Sequence, residues 1–265
     1  MVSGRGLASR LAALTRRLSE PAELVRVLTE PAGALTRLAD RYGSDKGSRV
    51  GGNRYARVYE ALFGPLRDRP VRLLEIGLLG RGHGWDEDSL RDIGQACGHD
   101  APSLRMWADY FRRGDIFGLD FNDFSSVRID RCRILRGDMG RPDDLNAVLD
   151  VVGNDLDIVI DDASHASHDQ QLALGMLFPA VRPGGFYVIE DLTFQPASRE
   201  RPDAVKTLDV LRRAEFTGAF EAPHISREAS NYLEQHVERV ALFDAVGPGS
   251  ALESRDSLAV LWKKS

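Results

Sequence analysis

The chain has 265 residues and a mass of 29.3 kDa, which fits one α/β domain of ordinary size. Its net charge of −5 argues against nucleic-acid binding, and it has no apolar run of the roughly 18 residues that a membrane-spanning helix needs. The two cysteines, Cys97 and Cys132, have no metal-ligand spacing. We therefore expect neither a disulfide-stapled secreted fold nor a zinc finger, and we expect a reducing, cytoplasmic location without nucleic-acid or membrane partners.

The first residues predict an amphipathic helix. Its apolar positions recur at steps of three and four residues: Leu7, Leu11, Leu14 and Leu18. We expect this seam to pack on the domain or on a second copy of the chain, which predicts a homo-oligomer, and we expect no signal peptide. The predicted organisation is an N-terminal helical extension over residues 1–60, followed by one α/β domain over residues 61–265.

From residue 71 onward, apolar runs alternate with stretches of helical spacing. Five runs predict strands, at residues 71–77, 115–120, 133–137, 157–162 and 186–191. Helices are predicted between them, at residues 103–111, 145–152 and 168–181. This alternation is typical of βαβ units and of a doubly wound parallel sheet.

The end of the chain follows a different pattern. Residues 237–243 and 257–262 are apolar runs separated by a loop that contains Gly-Pro-Gly, which predicts an antiparallel hairpin at a sheet edge. The predicted fold class is therefore α/β: a Rossmann-like, doubly wound, mostly parallel sheet with a C-terminal antiparallel hairpin and N-terminal helices. Two long polar stretches, residues 78–102 and 193–231, are expected to form loops at the rim where open α/β sheets bind ligands.

A glycine-rich turn follows the first predicted strand. Glu75 and Gly77 end that strand, and glycines in such a turn let the backbone approach a ligand closely. The pattern is not G-x-G-x-x-G, and the next helix begins only after a long loop. Both features disfavour a dinucleotide pyrophosphate and hence a nicotinamide dehydrogenase. The turn fits a ligand without phosphates, or it has a purely structural role.

Two further acids end the second and third predicted strands. An acid at the position of Asp120 accepts hydrogen bonds from ribose hydroxyls in many nucleotide-binding sheets. Asp138 would lie beside an adenine. The alternative for each residue is an aspartate that caps a turn. The order of Glu75, Asp120 and Asp138 along the chain is more informative than any one of them.

Acids and a histidine cluster after the fourth and fifth predicted strands: Asp161, Asp162, His165, Glu190 and Asp191. Carboxylates packed at adjacent strand ends repel one another, so a cation is the natural way to hold them. Oxygen donors favour a hard ion such as Mg²⁺, and a nearby histidine is the ordinary general base. The alternative is that these acids cap loops and that His165 has no chemical role. The two acid pairs together favour the metal site.

These residues resemble those of class I S-adenosylmethionine-dependent methyltransferases. Within this class they resemble the metal-dependent sugar O-methyltransferases of bacterial natural-product biosynthesis, the mycinamicin and macrocin type. The matching segments are Arg41-Tyr-Gly-Ser-Asp-Lys46, Leu74-Glu-Ile-Gly77, Ser103-Leu-Arg-Met-Trp107, Phe117-Gly-Leu-Asp120, Ile160-Asp-Asp-Ala-Ser-His165 and Arg182-Pro-Gly-Gly-Phe-Tyr-Val-Ile-Glu-Asp191. Where members of this family often have His-x-Tyr, this chain has Asn53-Arg-Tyr55.

The resemblance implies a role for each site residue. It implies that Mg²⁺ is held by Asp162, Glu190 and Asp191 and that His165 is the catalytic base. S-adenosylmethionine would be bound by the remaining acids and the glycine of the turn: Glu75, Gly77, Asp120, Asp138 and Asp161.

The resemblance also implies the reaction. The expected activity is methylation of a hydroxyl on a deoxyhexose, such as a rhamnose, in a small glycosylated or nucleotide-linked substrate. Two alternatives stay open. One is a non-sugar acceptor such as a phenol, a catechol or a β-lactam-type compound. The other is a non-catalytic accessory subunit that binds a partner through its N-terminal helix.

Overall fold

A computed structural model describes residues 32–49, 54–78, 100–195, 199–244 and 257–265. The predicted N-terminal seam from Leu7 to Leu18 lies outside the described residues, as does most of the predicted loop over residues 78–102. In the described part of the chain, no helix is long and apolar enough to cross a membrane.

The centre of the fold is a seven-stranded sheet in the order β3-β2-β1-β4-β5-β7-β6. Strands β1 to β5 pair in parallel with one another, and β7 pairs antiparallel with both β5 and β6. This arrangement confirms the predicted mostly parallel sheet and its closing hairpin. The strands are β1 Arg72–Ile76, β2 Asp115–Asp120, β3 Cys132–Arg136, β4 Leu156–Asp161, β5 Val181–Ile189, β6 Val237–Asp244 and β7 Ser257–Lys263.

Helices cover both faces of this sheet. They are α1 Ala34–Tyr42, α2 Tyr55–Phe63, α3 Pro102–Tyr110, α4 Pro142–Val152, α5 Ser167–Leu177, α6 Thr207–Thr217 and α7 Arg227–His236, with short 3₁₀ turns at Gly64–Leu66 and Phe178–Ala180. Apolar side chains of α1, α2 and α3 share one core with one face of the sheet. The opposite face shares its core with side chains of α4, α5, α6 and α7. This three-layer order is the doubly wound architecture that alternating strands and helices predict.

Helix α1 falls within the predicted N-terminal extension, and α2 crosses its predicted end at residue 60. Leu35 of α1 and Tyr59 of α2 are fully buried, in the same core as Leu73 of β1. These helices therefore pack directly on the sheet. The division into residues 1–60 and 61–265 stays a prediction.

The strand register aligns the carboxyl ends of the central strands. Ile76 of β1 pairs with Leu119 of β2 on one side and with Asp161 of β4 on the other. Asp161 in turn pairs with Ile189 of β5. The residues that follow these four positions therefore meet at one edge of the sheet, as the sequence predicts for a parallel sheet.

Two local predictions need correction. The fifth strand was predicted over residues 186–191, but β5 begins at Val181, and residues 182–185 form its irregular first part, where the register against β4 shifts. Residues 193–231 were predicted to be a loop, but they contain α6 and begin α7. Apolar side chains of α6 such as Leu211 are buried in the core, so this helix covers the sheet.

Candidate active site

A close contact between two turns defines the centre of the sheet's carboxyl edge. Gly77 has φ +88°, and a Cβ atom there would lie 2.0 Å from the backbone oxygen of Asp162. The backbone N–H of Gly77 donates to Leu119, and that of Asp162 donates to Ile76, each at 2.8 Å. Only glycine permits both this conformation and this approach. The turns after β1 and β4 are thereby locked together.

A cavity of about 490 Å³ opens above this contact. Six of the predicted site residues line it: Gly77, Asp120, Asp138, Asp162, His165 and Asp191. The other three, Glu75, Asp161 and Glu190, are buried and do not line it. The structure therefore brings together the predicted residues at the ends of β1 to β5, with one member of each adjacent acid pair facing the cavity.

Asp120 occupies the β2 side of the cavity. Its Oδ2 accepts a hydrogen bond from the backbone N–H of Leu78 at 2.7 Å, and its Oδ1 accepts one from that of Asn122 at 2.7 Å. Burial raises the pKa of Asp120, and these hydrogen bonds counteract it. The neighbouring Phe121 is 68% exposed and lines the cavity. A fixed carboxylate beside an open aromatic ring suits a nucleoside.

Asp138 lines the β3 side of the same cavity. Its Oδ1 accepts a hydrogen bond from the backbone N–H of Gly140 at 2.9 Å, so it also caps a turn. The backbone N–H of Asp138 donates a hydrogen bond to Asp144 Oδ2 at 2.9 Å. The capping role and the cavity position are compatible, because a carboxylate oxygen can accept more than one hydrogen bond.

The opposite side of the cavity holds the acids and the histidine. One ligand atom from each of Asp162, His165 and Asp191 lies within 4.8 Å of the others. His165 Nε2 lies 3.9 Å from Asp191 Oδ2, and the Tyr55 hydroxyl donates to Asp191 Oδ1 at 2.9 Å. Two carboxylates at this spacing offer oxygen ligands to a divalent cation such as Mg²⁺, and the imidazole lies beside them. Asp162 and Asp191 are thus the predicted magnesium ligands that the structure brings to the cavity.

Glu190, the third predicted magnesium ligand, has other partners. Lys46 Nζ lies 3.0 Å from Glu190 Oε1, and the Tyr59 hydroxyl donates to the same oxygen. Lys46 Nζ also lies 3.4 Å from Glu75 Oε1 and donates to Asp162 Oδ2. The Lys46 side chain is 1% exposed. One buried ammonium is therefore surrounded by three of the predicted site carboxylates.

Burial and mutual repulsion shift the pKa values of these groups. Burial raises the pKa of Glu75 to about 7, against the lowering effect of Lys46. Burial and then the charge of Asp162 raise the pKa of Glu190. Burial acts to lower the pKa of Lys46, but the carboxylates outweigh it and raise that pKa well above 10.5. Lys46 therefore stays charged.

Asp161 is separated from the cavity. It is fully buried, and burial followed by the charges of Asp162 and Asp169 raises its pKa well above the ordinary value. The cofactor role predicted for Asp161 and Glu75 stays a prediction.

Sequence reasoning assigned no role to Lys46, Tyr55, Tyr59 or Asp45. Asp45 lines the cavity, and burial raises its pKa while Lys46 opposes that rise. One signal was available: Asp45 and Lys46 end the segment Arg41-Tyr-Gly-Ser-Asp-Lys46, which carries part of the family resemblance. No local pattern marks the tyrosines, because α2 brings them to acids more than 130 residues away in the chain.

Sequence relatives of this chain are sugar O-methyltransferases. The 8-demethyl-8-alpha-L-rhamnosyl tetracenomycin-C 2'-O-methyltransferase of Streptomyces olivaceus is 42% identical over 158 residues, which are 60% of this chain and 37% of that protein. The mycinamicin VI 2''-O-methyltransferase of Micromonospora griseorubida is 40% identical over 135 residues, 51% of this chain and 30% of that protein. The chain thus spans less than half the length of these curated relatives. No family model matches the chain.

Solved structures of the MycE methyltransferase from the mycinamycin biosynthetic pathway have a similar fold. The complex with Mg, SAH and mycinamycin VI has a TM-score of 0.62 and 28% sequence identity, over 88% of this chain and 55% of that chain. The fold of this chain is thus similar to that of the MycE methyltransferase. Its sequence is similar to part of the sugar O-methyltransferases of the tetracenomycin, mycinamicin and macrocin type.

Proposed function

We propose that the chain is a Mg²⁺-dependent O-methyltransferase that transfers the methyl group of S-adenosylmethionine to a hydroxyl of a rhamnose-like deoxyhexose on a small glycosylated molecule. One observation carries this proposal. Asp162, His165 and Asp191 converge on one side of a cavity whose other side carries Asp120 and Asp138. A site for an acceptor and a site for a nucleoside cofactor would therefore share one cavity.

The β2 and β3 side of the cavity suits the cofactor. Gly77 leaves room for a ligand close to the backbone, and Asp120 presents a fixed carboxylate to ribose hydroxyls. Asp138 would flank the adenine, and Phe121 offers an exposed ring. The relatives' fold and the bound SAH of MycE support this assignment.

The acidic side of the cavity suits the metal and the acceptor. Asp162 and Asp191 would hold the ion, with Glu190 as the third ligand that the family resemblance implies. When bound, Mg²⁺ supplies Lewis acidity that makes a sugar hydroxyl easier to deprotonate. The Mg in the MycE structures supports this part of the proposal.

His165 performs the proton transfer in this proposal. It takes the proton of the acceptor hydroxyl at Nε2, the ring nitrogen on the Asp191 side, and the negative charge of Asp191 stabilises the imidazolium. The hydroxyl oxygen then bonds to the methyl carbon as the carbon–sulfur bond breaks. Sulfur leaves as a neutral thioether, so no general acid is needed.

The proposal also covers location and assembly. We infer a cytoplasmic enzyme that self-associates, with residues 1–60 as an N-terminal extension. Size-exclusion chromatography with light scattering, on the full chain and on a chain that begins at residue 32, tests the self-association. The same number of subunits in both proteins would contradict a contact made by the predicted first helix.

The decisive experiment measures S-adenosylhomocysteine formation with matched acceptors. A rhamnosylated aromatic polyketide, its aglycone and a simple catechol are each incubated with the protein and S-adenosylmethionine, with Mg²⁺ or with EDTA. We expect product only with the glycoside and Mg²⁺. Product with the aglycone or catechol would favour a non-sugar acceptor. Cofactor binding without product from any acceptor would favour the accessory-subunit alternative.

A further inference from the structure

We propose that Lys46 is a built-in cation that holds the acids of the site together in the absence of a divalent ion and sets the affinity with which that ion binds. This inference rests on the proposed function, because it concerns the proposed magnesium site. Nothing in the family resemblance assigns Lys46 this role. It makes Lys46 a positioning residue that acts through Asp162 and Glu190.

The first support is the geometry around the ammonium. Lys46 Nζ lies 3.0 Å from Glu190 and 3.4 Å from Glu75, and it donates to Asp162. Its side chain is 1% exposed, so water does not screen these contacts. A buried ammonium is costly unless it is paired, and three carboxylates supply that pairing.

The second support is that the backbone of Lys46 is fixed. Its carbonyl accepts a hydrogen bond from the backbone N–H of Ala56 at 2.9 Å, and its own N–H donates to Ser44 Oγ at 3.3 Å. The backbone of Lys46 is thereby tied to the start of α2. This fixes the point from which the side chain reaches the acids at the sheet edge.

The third support is the double role of Asp162. The same carboxylate accepts from Lys46 and belongs to the cavity group with His165 and Asp191. A positive charge in contact with Asp162 repels a cation that binds there and competes for the carboxylate. Glu190 is likewise held by Lys46 and by the Tyr59 hydroxyl. Binding of a divalent ion therefore has to work against Lys46.

The test compares wild type, Lys46→Met and Lys46→Arg. EPR measures the affinity of each protein for Mn²⁺, without S-adenosylmethionine or acceptor. We expect Lys46→Met to bind Mn²⁺ at least tenfold more tightly, and Lys46→Arg to stay within threefold of wild type because it keeps the charge. Tyr59→Phe removes the other donor to Glu190 without a change of charge. It should tighten binding less than twofold.

Thermal unfolding supplies the second readout. Without metal, Lys46→Met should melt at a lower temperature than wild type, and Mn²⁺ should raise its melting temperature by more than it raises that of wild type. If Lys46→Met does not fold without metal, Lys46→Gln replaces it. Folding of either variant only when Mn²⁺ is present supports the inference.

The outcomes separate this inference from the proposed function. Mn²⁺ binding that is unchanged or weaker in Lys46→Met overturns the role of Lys46 and leaves the metal site intact. Binding by neither protein overturns both this role and the metal part of the proposed function. Binding by the variant alone supports the inference in its strongest form.

Discussion

His165 and Asp191 lie beside each other on the acidic side of the cavity, and both have a left-handed backbone conformation. Their φ angles are +57° and +54°, and His165 Nε2 lies 3.9 Å from Asp191 Oδ2. For a residue with a Cβ atom, this conformation is less stable than the right-handed one by roughly 1–2 kcal/mol. Such positions persist where the surrounding structure determines them, and they concentrate at functional sites. The strain thus falls on the two turns that carry the proposed base and a proposed metal ligand.

Replacement of His165 should slow turnover strongly without loss of the cofactor site. Asparagine adopts left-handed conformations more readily than alanine, so His165→Asn removes the imidazole at little backbone cost. A general base contributes about 10²–10⁴ in rate, and we expect kcat to fall by at least about 100-fold. S-adenosylhomocysteine affinity, measured by calorimetry, should stay within about threefold of wild type, because His165 belongs to the acid group on the other side of the cavity.

His168→Asn is the matched control. His168 also lines the cavity and lies in the first turn of α5, three residues after His165. Its Nε2, however, lies 3.2 Å from Asp169 Oδ1. Its replacement should lower kcat by less than fivefold. A His165→Asn variant that turns over as fast as His168→Asn would exclude His165 as the base.

A methyl group at residue 77 should destabilise the fold. Gly77→Ala places a Cβ atom 2.0 Å from the Asp162 oxygen and also demands φ +88°. Gly43→Ala is the control, because Gly43 is left-handed with φ +75° but has no atom within 4 Å of an added Cβ. We expect Gly43→Ala to lower the free energy of unfolding by about 1–2 kcal/mol and Gly77→Ala by roughly 2–5 kcal/mol. Urea denaturation measures both, and equal losses would mean that the turns separate without cost.

The strand ends could be predicted because two simple patterns agree there. Apolar runs that end in an acid or a glycine predict β1, β2 and β4, and parallel pairing predicts that these ends meet. The structure pairs Ile76 with both Leu119 and Asp161, so the meeting of Asp120 and Asp162 at one cavity follows from register alone.

The direction of each acid was harder to predict. Consecutive residues of a strand point to opposite faces, so Asp161 and Asp162 cannot both reach the cavity, and neither can Glu190 and Asp191. The backbone ladder continues through these pairs, since Glu190 N–H donates to Asp161 at 2.9 Å. The alternation rule was therefore a usable signal. No alternation pattern could predict the position of Lys46, because its contact with Asp162 joins residues 116 positions apart in the chain.

Loss of the Asp120 charge should weaken cofactor binding. Hydrogen bonds from hydroxyls to a carboxylate are worth about 1.5–3 kcal/mol, so Asp120→Asn should weaken S-adenosylhomocysteine binding by roughly 10–100-fold. Asp143→Asn, on the exposed first turn of α4, is the control and should leave affinity unchanged. Calorimetric titration compares the two. Equal affinities would show that Asp120 only organises the turns after β1 and β2.

The stability of the metal-free protein should fall as the pH rises toward 7. Burial raises the pKa of Glu75 from 4.5 to about 7, so between these values the folded state holds a proton that the unfolded state has released. Raising the pH through this window therefore favours the unfolded state, by up to about 3 kcal/mol from this one group. Glu190 and Asp161 act in the same direction, because their pKa values are also raised.

Glu75→Gln should flatten this dependence, because glutamine is neutral throughout. Urea denaturation in EDTA at pH 5, 6, 7 and 8 gives the free energy of unfolding, and we expect the variant to lose less stability than wild type over this range. A residual slope should remain from Glu190 and Asp161. Asp68→Asn, at an exposed position, should follow wild type. If Glu75→Gln also follows wild type, then Glu75 is ionised in the folded protein and its charge is fully balanced by Lys46.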